Sequence, residues 1–191
     1  MNIVHKTFVL LAPVLSITLM AGQTSESDRS ASIHQGLDRA LSRVEQEFVS
    51  AAQAMPAEKY SFAPTGGEFR GVRNAAEQVK HVAAANYVIG SGVLGEKPPI
   101  DTNHEQGPEA MKSKEEVLAF LAASFKYLHQ AIGSIDDATL MQPVKSPFGD
   151  GTTVTRLALV THCIAHISDH YGQMVEYLRM NGIVPPASRP R

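Results

Sequence analysis

The chain has a single cysteine, Cys163, and no tryptophan among its 191 residues. One thiol excludes an intramolecular disulfide, so an ordinary hydrophobic core must stabilise the fold whatever compartment it matures in. Charge of one sign is also missing. The 17 Lys and Arg are interspersed with 19 Asp and Glu, for a net charge of −2, and no basic stripe is available to neutralise phosphates. Nucleic acid is therefore excluded as the expected partner. Nothing of helix-like length alternates with the two-residue period of a strand, which argues against a sheet protein.

Long hydrophobic runs are scarce as well. Thr7 to Met20 is apolar apart from Pro13, Ser16 and Thr18, too short and too interrupted for a stable membrane span. It follows the weakly basic MNIVHK and precedes the small residues Ala21 and Gly22 and the polar run QTSESDRS. This is the three-part layout of a secretory signal, so residues 1–22 are expected to be a signal peptide, residues 23–31 a disordered linker, and the protein periplasmic or secreted. A retained N-terminal anchor is the alternative. No cysteine follows the apolar run, which argues against a lipid anchor.

What is present is helix periodicity, in four segments. The first runs from about Ser32 to Ala54, with Leu37, Ala40, Leu41, Val44 and Phe48 at spacings of three and four, and Pro56 stops it. A connection with two prolines and paired glycines follows, expected to pack Tyr60, Phe62 and Phe69 on the core. The second helix is expected from about Val72 to Gly90 or Leu94, and it carries His81. Residues 95–113 are rich in Pro, Gly and charge and read as a loop able to cover a site. Ser113 with Glu116 forms a capping box for a third helix ending near Gly133. A short helical turn is expected over Ile135–Met141. The last helix is expected to be capped by Thr152 or Thr153 and to run through Asn181, with Gly182 as its left-handed terminator. Four helices without a sheet signal indicate an all-α four-helix bundle over residues 32–186, with residues 187–191 as a tail.

The last helix holds His162, His166 and His170 at four-residue spacing. At about 100° per residue, such side chains stack one turn apart and can aim at a common point. On the helical wheel His170 lies within one edge of the apolar arc of Leu159, Val160, Ile167, Tyr171, Met174, Val175 and Leu178. His166 sits at the edge, and His162 points further toward solvent. His166 and His170 are thus the better ligand pair, and His162 reads as a residue that supports a ligand or lines the rim of a pocket. Two ligands leave most of a coordination sphere open. His81, mid-helix among Val79, Val82 and Ala83, is the natural third, ahead of His104 and His129. Cys163 reads as a small buried residue. Asp169 and Glu77 are conceivable general bases, although Glu77 is as well placed to pair with Lys80 or Arg73.

QVKHVAAAN around His81, followed some eighty residues later by HCIAHISDHYGQMVEYLRMNGIVPP, resembles the DinB family of metal-binding four-helix bundles, the DinB/YfiT-like fold. That family shows a His in the second helix and a last helix reading His-x-x-x-His, a small or basic residue, Gly-Gln, a Tyr-Leu-Arg-like run and a Pro-rich exit. The match spans about Ile33 to Pro186, with Tyr171 where many members have Arg. The resemblance implies a divalent metal on His81, His166 and His170, and a homodimer formed through helix faces. Gly172 would admit a neighbouring helix, and Gln173 and Glu176 would support the ligands, line the dimer or face solvent. Zinc and nickel suit three imidazoles best, with iron or manganese as further choices.

A three-His site completed by water can lower the pKa of that water and polarise a substrate. Members with known activity resemble thiol-dependent transferases and isomerases, whereas an exported protein is better served by hydrolysis. The expected function is that of a metal-dependent hydrolase or thiol transferase acting on a small molecule. The alternative is a non-catalytic bundle that binds a metal or a small ligand.

Overall fold

A computed structural model describes residues 32–66 and 70–190. The signal peptide and linker expected over residues 1–31, and Phe69, lie outside the described residues. Four helices form the body: α1 (Ile33–Ala54), α2 (Ala75–Leu94), α3 (Lys114–Gly133) and α4 (Arg156–Met180). A two-stranded antiparallel hairpin, β1 (Pro143–Lys145) and β2 (Thr153–Thr155), is inserted between α3 and α4. Its strands were not expected, because three residues are too few to show alternation.

Helix ends follow from local chemistry. Ser113 Oγ accepts from Glu116 N at 3.1 Å while Glu116 Oε2 accepts from Ser113 N at 2.9 Å, the expected capping box. Asn74 and Glu77 do the same at the start of α2, at 2.9 and 2.8 Å, so this helix begins at Ala75 rather than Val72. Glu77 is thereby committed to the cap instead of to Lys80 or Arg73. Each such cap is worth about 1 kcal/mol. At α4 the cap is Thr155, whose Oγ1 accepts from Ala158 N at 3.1 Å, and not Thr152 or Thr153. Pairing of Thr153–Thr155 with Pro143–Lys145 holds those residues extended and delays the helix. The segment after α3 forms turns instead of the expected helical turn, with Asp136 and Thr139 exchanging side chain to backbone bonds at 2.8 and 2.9 Å. Gly182, at φ +72°, ends α4 as expected, with Ile183 N donating to Leu178 O at 2.9 Å.

α1 packs on α3 and α4, and α2 packs on the same two helices, so consecutive α1 and α2 lie diagonally across the bundle. The chain leaving α1 is tied down by Tyr60 Oη donating to Ala52 O at 2.8 Å and by Phe62 edge-on to Tyr177 at 5.7 Å. α2 is buried from His81 to Val93 on every face. A helix covered all round reads as apolar all round, with only the Asn86 amide, Ser91 and His81 as polar exceptions in that stretch. Asn86 donates to Ser124 Oγ at 3.1 Å, and Cys163 Sγ lies 3.7 Å from its Oδ1. Burial pushes the Cys163 thiol up to about 12, which keeps it protonated and inert, as its small-residue reading requires.

Close approach explains two glycines. A Cβ at Gly92 would sit 2.8 Å from Pro147 Cγ of the hairpin. At Gly107, φ +72° and a Cβ 3.1 Å from Lys80 Cβ both demand glycine, which lets the 95–113 loop lie on α2. Gly172, expected to admit a helix, has nothing within 4 Å of its virtual Cβ.

α3 is pinned to α1 by two charged devices. Lys114 Nζ donates to the Gln53 and Met55 carbonyls at the end of α1, at 2.7 and 2.8 Å. His129 is clamped between Asp38, on Nδ1, and Glu45, on Nε2 at 2.8 Å. Partial burial works against the charge, but hydrogen bonds and attraction from Glu45 and Asp38 outweigh it and raise the His129 pKa above 6.5. A raised folded-state value means the stabilisation is complete below the unfolded pKa of about 6.5 and disappears as pH rises through the folded value. Chemical denaturation of His129→Gln should therefore show a larger stability loss at about pH 5.5 than at about pH 9. An equal loss at both would show that the clamp carries no charge.

Candidate metal centre

α2 and α4 bring three of the histidines together. His81 Nε2 lies 3.1 Å from His166 Nε2, and His166 Nε2 lies 3.1 Å from His170 Nε2. The ring centroids stand 4.4–5.0 Å apart and the planes are steeply inclined, so the imidazoles converge on one point. His81 and His170 are buried and His166 is half-buried. These are the three expected ligands, and among the described residues they form the one cluster of His, Cys, Asp or Glu able to hold an ion.

The outer ring nitrogens show which tautomers are present. His81 Nδ1 faces the Glu105 carbonyl at 2.8 Å, and a carbonyl only accepts, so Nδ1 carries the proton. His170 Nδ1 faces Gln173 Oε1 at 2.9 Å. That amide is oriented in turn by Asp169, whose Oδ2 accepts from Gln173 Nε2 at 3.1 Å. Gln173 therefore presents its oxygen to His170, and His170 Nδ1 is also the protonated nitrogen. Both inner nitrogens are then lone pairs.

Two lone pairs lie 3.1 Å from the same His166 nitrogen, and one proton on His166 Nε2 can satisfy only one of them. A cation satisfies all three. Tetrahedral Zn–N bonds of about 2.0–2.1 Å imply nitrogens about 3.3 Å apart, close to the separations present. Electrostatics agree. Burial, then the charges of His170, His81, His162 and Arg73, push His166 down to about 3, and burial foremost lowers His81 and His170. At neutral pH the triad offers neutral imidazoles, the form a metal requires.

The Glu105 carbonyl is delivered by an unusual turn. Asn103, His104 and Glu105 all have left-handed backbone, at φ 48°, 50° and 63°. Such residues cost about 1–2 kcal/mol each. Asn103 N donating to Asp101 Oδ1 at 2.8 Å, Gln106 N to Asn103 O at 2.9 Å and Gly107 N to Thr102 O at 3.0 Å hold the turn. Sequence reading recognised a loop over the site but missed this contact, because a main-chain acceptor has no residue-type signature.

The other expectations divide. His162 is exposed, with its ring 6.1 Å from His166 and edge-on to Phe148 at 5.4 Å, at the rim as expected. Phe148, at the hairpin tip, was not anticipated. His104 helps form the strained turn, and His129 is the α1–α3 clamp. Asp169 orients Gln173, and Glu77 caps α2, so the carboxylates considered as bases are engaged elsewhere. Glu176 pairs with Arg179 on the surface at 2.6 Å.

A bundle with three imidazoles converging between its second and fourth helices is the class of protein these features define. The family model of the DinB superfamily matches residues 40–174, and the chain belongs to that superfamily. Among solved structures it is similar to a DinB-like protein from Bacillus cereus, at TM-score 0.67 and 16% identity, covering 81% of this chain and 96% of the other. A DinB-like protein from Bacillus subtilis gives 0.62 and 16%, covering 82% and 99%. A conserved protein from Enterococcus faecalis gives 0.59 and 16%, covering 79% and 98%. These likenesses establish the shared fold. No curated protein matches the chain.

Loss of the Gln173 acceptor should loosen His170. Gln173→Leu is expected to weaken zinc binding about 10- to 100-fold in a competition titration with a chromophoric chelator. Unchanged affinity in a folded variant would show that Gln173 does not support the ligand.

Proposed function

We propose that this chain is a divalent-metal enzyme, with His81, His166 and His170 as the ligands and zinc or nickel as the ion, ahead of iron or manganese. The observation that carries the reading is the convergence of three inner nitrogens, two of them fixed as lone pairs by Glu105 and Gln173. When bound, such an ion supplies a Lewis acid that lowers the pKa of water or a thiol and polarises an oxygen.

The chain's own residues do the rest. Glu105 and Gln173 hold two ligands in one orientation, so little rearrangement accompanies loading. Phe148 covers part of the rim, and His162 beside it offers an exposed imidazole for proton exchange with solvent. Hydrolysis of a small molecule is the proposed reaction class, with thiol transfer second. The secretory layout of residues 1–22 supports that order, since a periplasmic or secreted enzyme always has water as co-substrate. A homodimer through helix faces, without a membrane span after processing, completes the proposal. Among the described residues, no helix is long and apolar enough to cross a membrane. Commitment of Asp169 and Glu77 to other contacts favours one further reading, a bundle that binds metal without catalysis.

Elemental analysis of protein purified without a histidine tag should find near-stoichiometric metal in the wild type and a loss of at least about tenfold in His81→Ala and His166→Ala. A folded wild type that stays metal-free after incubation with zinc, nickel, iron and manganese contradicts the proposal. Stoichiometric metal with no turnover in hydrolytic or thiol-transfer screens leaves the non-catalytic reading.

A further inference from the structure

A cavity of about 370 Å³ opens beside His170, between the connection that precedes α2 and the second half of α4. Pro64, Arg73, Gln78, His170, Gln173 and Tyr177 line it. Two of these carry buried polar atoms without a hydrogen-bond partner among the described residues. Arg73 Nε is buried with no hydrogen-bond partner, and among the described residues no carboxylate lies within ion-pair distance of its guanidinium. Gln78 is 4% exposed, and its Oε1 has no donor.

The Gln78 orphan follows from the contacts that orient the metal ligand. Asp169 turns the Gln173 oxygen toward His170, and Gln78 donates its Nε2 to that same oxygen. The amide of Gln78 is then fixed with its oxygen left over. Rotating it to satisfy Oε1 would place two carbonyl oxygens against each other. Arg73 is equally constrained in its main chain, since its carbonyl accepts from Tyr177 Oη at 2.7 Å and Asn74 begins the α2 cap. The cavity lining thus holds a cationic donor and a neutral acceptor. A buried donor or acceptor without a partner is costly, so an occupant matching both gains more than it would from an empty apolar slot.

We propose that this cavity binds the carboxylate end of a small molecule bearing an N–H or O–H next to that carboxylate, as in an N-acyl amino acid or the end of a peptide. The carboxylate meets Arg73 and the adjacent donor meets Gln78. His170 also lines the cavity, beside Gln173, so the anchored group sits next to one of the three candidate ligands. The assignment deepens the metal-enzyme proposal by naming the substrate class, and it rests on that reading only for the role of the metal.

N-acetylglycine is the probe, compared with N-acetylglycinamide, which lacks the charge, and N-acetyl-N-methylglycine, which lacks the N–H. Binding is followed by amide chemical shifts in two-dimensional NMR, on zinc-loaded and chelator-treated protein whose metal content is measured. N-acetylglycine should bind both forms in the millimolar range, shifting residues around Arg73–Gln78 and His170–Tyr177. Each altered probe, and Arg73→Gln with the parent probe, should bind about tenfold or more weakly. No shifts up to about 50 mM N-acetylglycine, shifts mapping elsewhere, or equal binding of the three probes by the wild type would overturn the assignment. The probe comparison stands even if Arg73→Gln does not fold. Selective binding by a chain that takes up no zinc would contradict the metal-enzyme reading and leave the carboxylate site in place.

Discussion

Three inner imidazole nitrogens, with His166 Nε2 held 3.1 Å from both His81 Nε2 and His170 Nε2 and at least two of them presenting lone pairs, are the constraint around which the rest of this protein is arranged. In a buried setting that arrangement is repulsive unless positive charge stands among them. Imidazoles free to choose would rotate apart or share protons. Here they cannot, because the outer nitrogens of His81 and His170 are tied to acceptors that fix both ring plane and tautomer.

The fold supplies those ties from opposite sides. On the α4 side the tie is local in sequence: Asp169, His170 and Gln173 lie within one turn, so one helix surface carries both ligand and support. On the α2 side it comes from far along the chain, through a left-handed turn pressed onto the helix. Gly107 allows that turn to approach Lys80, and α2 in consequence is covered on nearly every face. Strained backbone tends to persist where surrounding structure over-determines it, and this turn meets that description at the point where it contacts a ligand. The diagonal placement of α1 and α2 has a similar consequence. It sets the start of α2 against α4, with Arg73 in the same neighbourhood as His170.

Much of this was legible in the chain. Spacing of three and four along Leu41, Val44 and Phe48 places α1, and Ser113 with Glu116 and Gly182 mark helix ends that the structure reproduces. The wheel position of His162, His166 and His170 separates the two that converge with His81 from the exposed one, because a regular helix has one geometry. The remainder failed for physical reasons. Thr152 and Thr153 have the side chains of caps, but Thr155 wins because strand pairing, a tertiary fact, holds the preceding residues extended. Gly172 resembles a packing glycine yet faces open space. Glu105 acts through its carbonyl, and Gln78 acquires its free oxygen only because a residue on another helix accepts from its amide nitrogen. Neither role leaves a trace in residue type.

That two outer hydrogen bonds hold two inner lone pairs beside the His166 nitrogen for one ion is tested most directly by long-range ¹⁵N NMR of the histidine rings, before and after addition of zinc. The account predicts protonated Nδ1 on His81 and His170 in metal-free protein at neutral pH, and on zinc addition a shift characteristic of ligation at the Nε2 of His81, His166 and His170, with His162 unchanged. Ligation through Nδ1, participation of His162 in place of His81, or ring signals indifferent to zinc would contradict it.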